Sequence, residues 1–584
     1  MRIEPPYVLL DDARDGGAAA RLYRHPHAVL TAHEAAEIAP LLAAVRAHDG
    51  DAAGFVSYEA AGAFEPTMGA ARKSDAPLAW FGLFDGWEPV DVPALLPDPA
   101  GAWIGALRPR VTRAEYDAMF AHVQALIAAG DLYQANLTFR AEVDVIGDPI
   151  ALYARLRAAT CGGWSAIVAT GDATFLSFSP ELFFALEGDR LTCRPMKGTA
   201  PRLPDSQADA AAADALVRDP KQRAENLMIV DLMRNDLSRV AVAGSVAVPE
   251  LFALERYPTV HQMTSMVTAT KAPRADAVDV LSALFPCGSI TGAPKVRAVQ
   301  ALAGIEQDAR GLYTGAIGRI DANGDAMFNV AIRTLALSAD GTSATIGLGG
   351  GIVADSTADA EWDEALAKGA FLARTERHFD LIETMAFDPM EGIALIERHL
   401  SRMKDSAVAL GFAFDRHDAR NELQAATFRL RGPARVRMLL AKSGAVSVQV
   451  SPLPPIRATP IAVAAVPLPV DPADWRLRHK TSDRAFYDVA RRTSGYEEVV
   501  FVAPDGTLTE GSYTSVFVPC DDMLLTPAVG ALLPGVLRAE LIESGRAREA
   551  VLRIADLRDG FFLGNSLRGL MPARLIEEHP AVAK

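Results

Sequence analysis

Cysteine is scarce in this chain, with four residues among 584, at positions 161, 193, 287 and 520. None falls in a Cys-x-x-Cys pair or a mixed Cys/His zinc spacing, so disulfide frameworks and structural zinc are excluded, and free, buried thiols are expected. Long hydrophobic runs are absent too. The segment Pro460 to Pro469 is short and broken by prolines, which leaves nothing to span a bilayer. The start, Met1-Arg2-Ile3-Glu4-Pro5-Pro6, lacks the basic region, apolar core and small-residue cleavage site of a secretory signal, so a cytoplasmic location is expected. Positive charge is also short: 58 Lys and Arg against 73 Asp and Glu give a formal net charge of −15. A phosphate-backbone binder needs the opposite balance, with basic residues interleaved with aromatics, so no nucleic acid partner is expected.

What is present is the composition of a packed globular protein, half hydrophobic and 22% charged. The chain is too long for one core, and its length predicts about three to five domain-sized units, a count that large multi-sheet domains would lower. The residue pattern itself shows two blocks. A helix-like run from Ala358 to Arg377 closes the first, and a strand pattern opens at Phe379, which places the boundary at 1–377 and 378–584. In the second block, a helix over Ile393 to Leu410 is followed by strands around Ala434 to Leu440 and Ala445 to Val450. The Pro-rich stretch Pro452 to Pro472 then separates two lobes. Helices mixed with strands in both blocks predict an α+β architecture.

In the first block, Pro195-Met-Lys197-Gly-Thr199 places a lysine between Arg194 and Arg202. An amine is a nucleophile only when burial or neighbouring cations release its proton, and a surface lysine before an ordinary Gly-Thr turn is the other reading. The segment Lys221 to Val240 has helical spacing that stacks Glu225, Met228, Ile229, Leu232 and Asn235 on one side. Glu225 reads either as a helix-start glutamate favoured by the dipole or as a functional carboxylate. Glu361 and Glu364 stand one turn apart on another helix, either as a surface pair in which Glu364 bridges Lys368 or, with Glu225, as oxygen ligands for Mg2+. Between these helices lie Phe285 to Lys295, Tyr313 to Gly318, Arg333 and the triple glycine Gly349-Gly350-Gly351. Glycine loops let backbone N–H groups approach an anion, and arginine offers a carboxylate fork. The triple glycine matches neither a P-loop nor a dinucleotide fingerprint.

Taken in order, Leu9-Leu-Asp11, Ser179-Pro-Glu181, the Lys197 pentad, Ala224-Glu-Asn226, Asp231 to Asp236, His261, Ser289 to Lys295 and Gly349 to Asp355 resemble the chorismate-utilising enzymes through the whole first block. The likeness is greatest to the aminodeoxychorismate synthase component I family. It implies a large two-sheet α/β sandwich in which chorismate sits over Mg2+ held by Glu225 and Glu364, with Glu361 nearby. Arg333 and Tyr313 would clamp the enolpyruvyl carboxylate, while Thr291 and the amides of Gly349, Gly350 and Gly351 hold the ring end. Lys197 would attack C2, Glu181 would protonate the departing C4 hydroxyl, and ammonia would enter at C4 and expel the lysine. His261 would polarise ring substituents. Anthranilate synthases also resemble this block, but they carry a small residue at the Lys197 position and bring ammonia to C2. Met196 replaces a more usual isoleucine and Cys287 a more usual glycine, and the short amino end implies a reduced or absent tryptophan pocket. The chain has no Gly-x-Cys-x-Gly turn like that of class I glutaminases, so a separate glutamine amidotransferase subunit is the expected ammonia source.

In the second block, Lys480 alone reads as a surface lysine and Glu510 as a turn carboxylate. Together with Glu383-Thr384, His399-Leu-Ser-Arg402, Thr526-Pro527, Leu533 to Arg538 and Gly564-Asn-Ser566, they resemble the two-lobed class IV pyridoxal-phosphate fold over residues 378–584. The resemblance makes Lys480 the lysine that bonds pyridoxal 5'-phosphate and Glu510 the partner of its ring nitrogen. Arg402, the turn at Gly535-Val536 and Ser566 would bind its phosphate, and Tyr487 is a candidate for its hydroxyl. Ser515 stands where relatives often have asparagine. Relatives of this class commonly form homodimers. The fused activities implied are amination of chorismate followed by loss of pyruvate to give 4-aminobenzoate, a folate precursor. The alternatives are an anthranilate-type synthase joined to a general transaminase, or a non-catalytic docking module.

Overall fold

The computed structural model describes residues 3–576 apart from 15, 70–71, 258–259, 374–376 and 456–458. The chain divides into two compact units, one of residues 1–96, 106–145 and 153–376, the other of 97–105, 146–152 and 377–584. Three to five units were expected from length. The smaller number follows from the breadth of the sheets in the first unit, which gather many strands around shared cores.

One sheet of the first unit runs in the order Gly292–Ala293, Gln134–Gly147, Ser343–Ile352, Thr334–Leu337, Thr174–Ser179, Trp164–Ala169, Tyr7–Asp11, Ala20–Arg24, Glu88–Val90. The other runs Met196–Pro201, Val260–Thr270, Arg190–Arg194, Leu182–Glu187, Ala326–Val330, Ala316–Ile320, Asp51–Val56, Ala79–Phe84, Ala28–Ala32. A cluster including Val8, Tyr23, Phe55, Trp80, Phe175 and Ile317 draws on strands of both sheets. The far face of the second sheet packs against helices Ala35–Arg46, Pro220–Ser238 and Ala277–Leu284. Strands covered on both faces need no polar alternation, so Tyr7–Asp11, Asp51–Val56 and Ala79–Phe84 are buried at every position.

Among the described residues, the second unit has two sheets. The first, ordered Gly392–Ile393, Leu381–Asp388, Ala434–Leu440, Val446–Pro452, is antiparallel and packs with helices Ile396–Leu410 and Arg416–Thr427. The second has eight strands, with Ile461–Pro467 parallel to both Glu498–Val502 and Gly569–Leu575. The Pro-rich stretch expected to be a separator thus carries a strand of the larger sheet, because Ile461-Ala-Val-Ala-Ala-Val466 lies between its prolines. The helix expected from Ile393 starts at Ile396, with Gly392–Ile393 as a short strand. The run expected to reach Arg377 is helical only over Ala358–Gly369, with a short 3-10 turn at Ala370–Leu372, and its residues 374–376 lie outside those described. Residues 97–105 join this unit because Trp475 Nε1 donates to Ala100 O at 2.9 Å and Arg476 reaches Asp98 at 3.1 Å.

Candidate functional site

Lys197 sits on the strand Met196–Pro201, whose pairing with Val260–Thr270 slips between Met196 and Thr199. A bulge of this kind re-aims the side chain it carries. Gly198 follows at φ +97°, a region L side chains avoid, and a Cβ there would meet Met263 Cε at 3.0 Å. Side chains pin the bulge. Asn226 Nδ2 donates to Lys197 O at 3.3 Å, Gln262 Nε2 donates to Gly198 O at 2.9 Å, and Asn226 Oδ1 accepts from Ser265 Oγ at 2.6 Å. Asn226 therefore fastens the helix that bears Glu225 to the strand that bears Lys197.

Burial, then the Lys368 ammonium, holds the Lys197 amine below its ordinary pKa, against the opposing pull of Glu225, Glu181 and Glu364. Those influences enlarge the neutral, nucleophilic fraction. The flanking arginines have other partners: Arg194 pairs with Glu255 at 2.8 Å and Arg202 with Asp209 at 2.9 Å. The cation that matters comes from a distant helix, which neighbours in sequence could not reveal.

Glu181 is 3% exposed and accepts a hydrogen bond from Ser289 Oγ at 2.6 Å. Burial pushes its carboxyl up to about 7, so near neutral pH it holds a proton much of the time. The Ser289 hydroxyl and the Lys197 charge pull the other way without reversing the shift.

Three further carboxylates act on this cluster. Burial raises Glu225, and Glu364 and Glu361 add to the rise. Burial also raises Glu361, which accepts from Ser356 Oγ at 2.6 Å, with Glu364 adding to the shift. Glu364 is lowered, chiefly by Lys368, its partner at 2.9 Å. The pair foreseen as a surface bridge is therefore present, but its lysine also donates to Gly349 O at 2.8 Å and biases Lys197. Among the described residues, no three acidic, His or Cys side chains already converge as metal ligands. The donor chemistry of Glu225, Glu361 and Glu364 nevertheless fits a hard divalent cation, since the three are oxygen donors whose mutual repulsion a cation would relieve.

The triple glycine closes the site. A Cβ at Gly350 would meet Glu361 Oε2 at 2.9 Å, and one at Gly351 would lie 3.2 Å from Lys197 Nζ. A Cβ at Gly349 would lie closer still to its neighbour, 2.3 Å from Leu137 O. These glycines serve close approach between strand and side chains.

The remaining residues singled out in sequence have their own settings. Thr291 Oγ1 donates to Cys287 O at 2.7 Å, on the loop that also presents Ser289 to Glu181. The Tyr313 ring lies over Gly347, where a Cβ would come within 2.0 Å of Cδ1, and burial raises its phenol. Arg333 adopts φ +51° and acts electrostatically on Tyr257. His261 is wholly buried, with Nε2 at 2.9 Å from Asp209 Oδ1 and Nδ1 lacking a hydrogen-bond partner. The buried face of helix Pro220–Ser238 runs through Asn226, Ile229, Val230, Met233, Asp236 and Leu237, so Asn235 is turned outward from the stripe assigned to it. Sequence reasoning also missed Lys295, whose Nζ donates to Asp236 at 2.6 Å and to Leu284 O and Pro286 O. That buried ion pair holds the Ser289 loop against the Glu225 helix. Of the four free cysteines, Cys193 and Cys287 are buried, whereas Cys161 and Cys520 are partly exposed.

In the second unit a cavity is lined by Lys480, Glu510, Arg402, Tyr487, Gly535, Val536 and Ser566, among others. Burial, with Arg402 next in effect, lowers the Lys480 amine to about 7. Burial raises Glu510 to about 7, and the Tyr487 hydroxyl donates to its Oε1. Tyr487, a candidate for the cofactor hydroxyl, is therefore committed to Glu510 here. Arg402 lines the cavity while Nε and Nη2 bind Glu383 at 2.8 and 2.6 Å and Nη1 donates to Pro534 O at 3.0 Å. Glu383 also takes His399 Nδ1 at 2.6 Å, and these partners hold its carboxyl well below the usual range despite full burial. Gly535 caps helix Val536–Glu543, and a Cβ there would lie 2.6 Å from Ser515 Oγ. Asn565 Oδ1 accepts from the backbone of Leu567 and Arg568, which shapes the turn carrying Ser566. An amine, a carboxyl that can face a ring nitrogen, and a helix start beside a serine turn fit pyridoxal phosphate.

Residues 6–374 match the family profile described as chorismate binding enzyme, and residues 380–576 match that of amino-transferase class IV. Aminodeoxychorismate synthase component 1 of Salmonella typhimurium is 45% identical over 263 residues, which is 45% of this chain and 58% of that protein. Anthranilate synthase component 1 1 of Halobacterium salinarum is 41% identical over 241 residues, or 41% of this chain and 46% of its own length. The match thus spans about half the length of these curated relatives. Anthranilate synthase component I from Streptococcus pneumoniae TIGR4 shares the fold, with a TM-score of 0.53 at 24% identity over 64% of this chain and 93% of that one. With its larger unit matched from residue 6 to residue 374, the chain belongs to the chorismate binding enzymes, and a class IV amino-transferase domain follows.

Proposed function

We propose that the chain is a bifunctional enzyme of 4-aminobenzoate synthesis. Residues 1–377 would aminate chorismate at C4 to 4-amino-4-deoxychorismate, and residues 378–584 would then remove pyruvate. The observation that carries the first assignment is a depressed lysine amine, Lys197, beside a carboxyl raised to about 7, Glu181. A nucleophile and an acid are the two groups that exchange of a ring hydroxyl for an amine requires.

The Lys197 Nζ lone pair forms a bond to C2, both conjugated ring double bonds shift, and the C4–O bond breaks as Glu181 gives its proton to the hydroxyl, which leaves as water. The lone pair of ammonia then forms the C4–N bond, both double bonds shift back, and the C2–N electrons return to Lys197. The surplus proton on the new amine passes to the Glu181 carboxylate. Glu225, Glu361 and Glu364 would hold Mg2+, which offsets the substrate's carboxylate charge. Ammonia would come from a partner glutamine amidotransferase.

In the second block, Lys480, Glu510, Arg402, Gly535, Val536 and Ser566 would hold pyridoxal 5'-phosphate, which supplies an electron sink. Lys480, with its amine near 7, takes the C4 proton at Nζ. Glu510 keeps the ring nitrogen protonated, and its hydrogen bond to Tyr487 fixes the orientation of its carboxyl. A homodimer through this block, as relatives of the class form, is the expected assembly.

Incubation with chorismate, an ammonium salt and Mg2+ tests both halves. Without pyridoxal phosphate, 4-amino-4-deoxychorismate should accumulate. With it, 4-aminobenzoate and pyruvate should appear in equal amounts. Anthranilate as the product would overturn the first assignment, and amination without pyruvate in the presence of cofactor would overturn the second.

Glu181→Gln should lower kcat for chorismate amination by about 10²- to 10⁴-fold with little change in KM, the usual loss when a positioned acid is removed. Amination needs a neutral Lys197 and a protonated Glu181, so the wild-type pH profile should be bell-shaped with one limb near 7. That limb should vanish from the residual activity of Glu181→Gln.

A further inference from the structure

Gln134 has no role in the chemistry above, yet it is 1% exposed and neither Nε2 nor Oε1 has a hydrogen-bond partner. Its backbone is fixed, since it pairs with Ala293 and Tyr133 N donates to Ala293 O at 2.8 Å. Its side chain reaches over Gly351. A Cβ at Gly351 would lie 2.2 Å from Gln134 Nε2 and 3.2 Å from Lys197 Nζ. The carboxamide therefore occupies the space a Cβ at Gly351 would fill, and the nucleophilic amine lies beside that space.

Burying both ends of an amide unpaired is costly, and an amide kept that way is complementary to something absent from the free protein. A carboxylate only accepts hydrogen bonds and would satisfy Nε2 while leaving Oε1 unmet. The complement must both donate and accept, as a hydroxyl or neutral ammonia does. The departing hydroxyl already has Glu181, held by Ser289. We infer that Gln134 binds the ammonia used for amination, Oε1 accepting an ammonia N–H and Nε2 donating to its lone pair until attack. An ammonium ion has no lone pair and would meet the Nε2 donor unfavourably, so the amide also selects the reactive form. The lone pair then forms the C4–N bond as the C2–Nζ bond breaks toward Lys197, and the extra proton goes to the Glu181 carboxylate. This inference rests on the proposed amination of chorismate.

The test is steady-state kinetics of the full chain with ammonium chloride and chorismate varied in turn, for wild type, Gln134→Met and Gln134→Asn. Gln134→Met keeps the volume and removes both hydrogen-bonding groups. It should raise KM for ammonia about tenfold or more, the cost of losing one to two hydrogen bonds, with KM for chorismate within about twofold. Gln134→Asn, which keeps the amide on a shorter stem, should recover part of the ammonia affinity even if Gln134→Met is poorly folded. A rise in chorismate KM with ammonia KM unchanged would overturn the inference in favour of a ring contact. Unchanged constants in both variants would also overturn it. A wild-type protein that forms no aminated product would bring down the functional reading and this inference together, whereas an active wild type with an insensitive Gln134 brings down the inference alone.

Discussion

Lys197→Ala should lower kcat/KM for chorismate amination by at least about 10³-fold, because it removes the group that makes the first bond. The bulge at Lys197 and Gly198, pinned by Asn226 and Gln262, fixes where the amine stands, and burial with Lys368 keeps part of it unprotonated. A lysine needed only for its charge would be replaced in part by arginine. A nucleophile would not, since a guanidinium stays protonated and its donors are spread over a plane. Lys197→Arg should therefore be as inactive as Lys197→Ala, with product chromatography as the measurement. Either variant retaining a tenth of wild-type amination would sink the nucleophile assignment. Both should still bind pyridoxal phosphate in the second unit, which provides an internal check on folding.

The residues that gather around Lys197 were legible in sequence as types and only partly as partners. Glu225 stands out as a carboxylate on a largely apolar helix face and Glu361 and Glu364 as a pair one turn apart, whereas Glu181 is marked only by the family resemblance. The structure puts all four within electrostatic reach of one another or of Lys197. What sequence could not supply was the source of positive charge. Arg194 and Arg202 are neighbours along the chain, but strand geometry sends them to Glu255 and Asp209, while Lys368 arrives from residues 358–369. Gln134 was invisible for the same reason. A single glutamine at the head of a strand carries no pattern, and only the packing of Gly351 against it shows that its amide is unmet.

The fold follows similar logic. Strong 3.6-residue and apolar-run signals located helix Pro220–Ser238 and strand Ala434–Leu440 well, whereas proline content misled at Ile461–Pro467. Prolines flank that strand and do not interrupt it, so its ladder to Glu498–Val502 is intact. Length alone favours more units than the two blocks in the residue pattern, because a length prior does not know how many strands one sheet will recruit. In sequence Lys295 is only the end of the motif that starts at Ser289. Its meaning, a buried tie to Asp236 some sixty residues earlier, depends on two loops meeting in space.

Lys480→Ala should abolish pyruvate release, by about 10³-fold or more, while leaving amination of chorismate intact. The expected signature is accumulation of 4-amino-4-deoxychorismate in the presence of pyridoxal phosphate, together with loss of the visible absorbance of the cofactor-loaded protein. Burial, with Arg402 next in effect, lowers the Lys480 amine to about 7, which frees part of it to take a proton at neutral pH, and Glu510, its carboxyl raised to about 7, lines the same cavity. A domain kept only for docking would have no use for a buried amine with a displaced pKa, and the desolvation it entails would be removed by substitution at no cost to function. Pyruvate is therefore the deciding measurement. If Lys480→Ala releases it at the wild-type rate, the second block does not perform the elimination with this lysine. If the variant stalls at the aminated intermediate, Lys480 is the group that moves the proton.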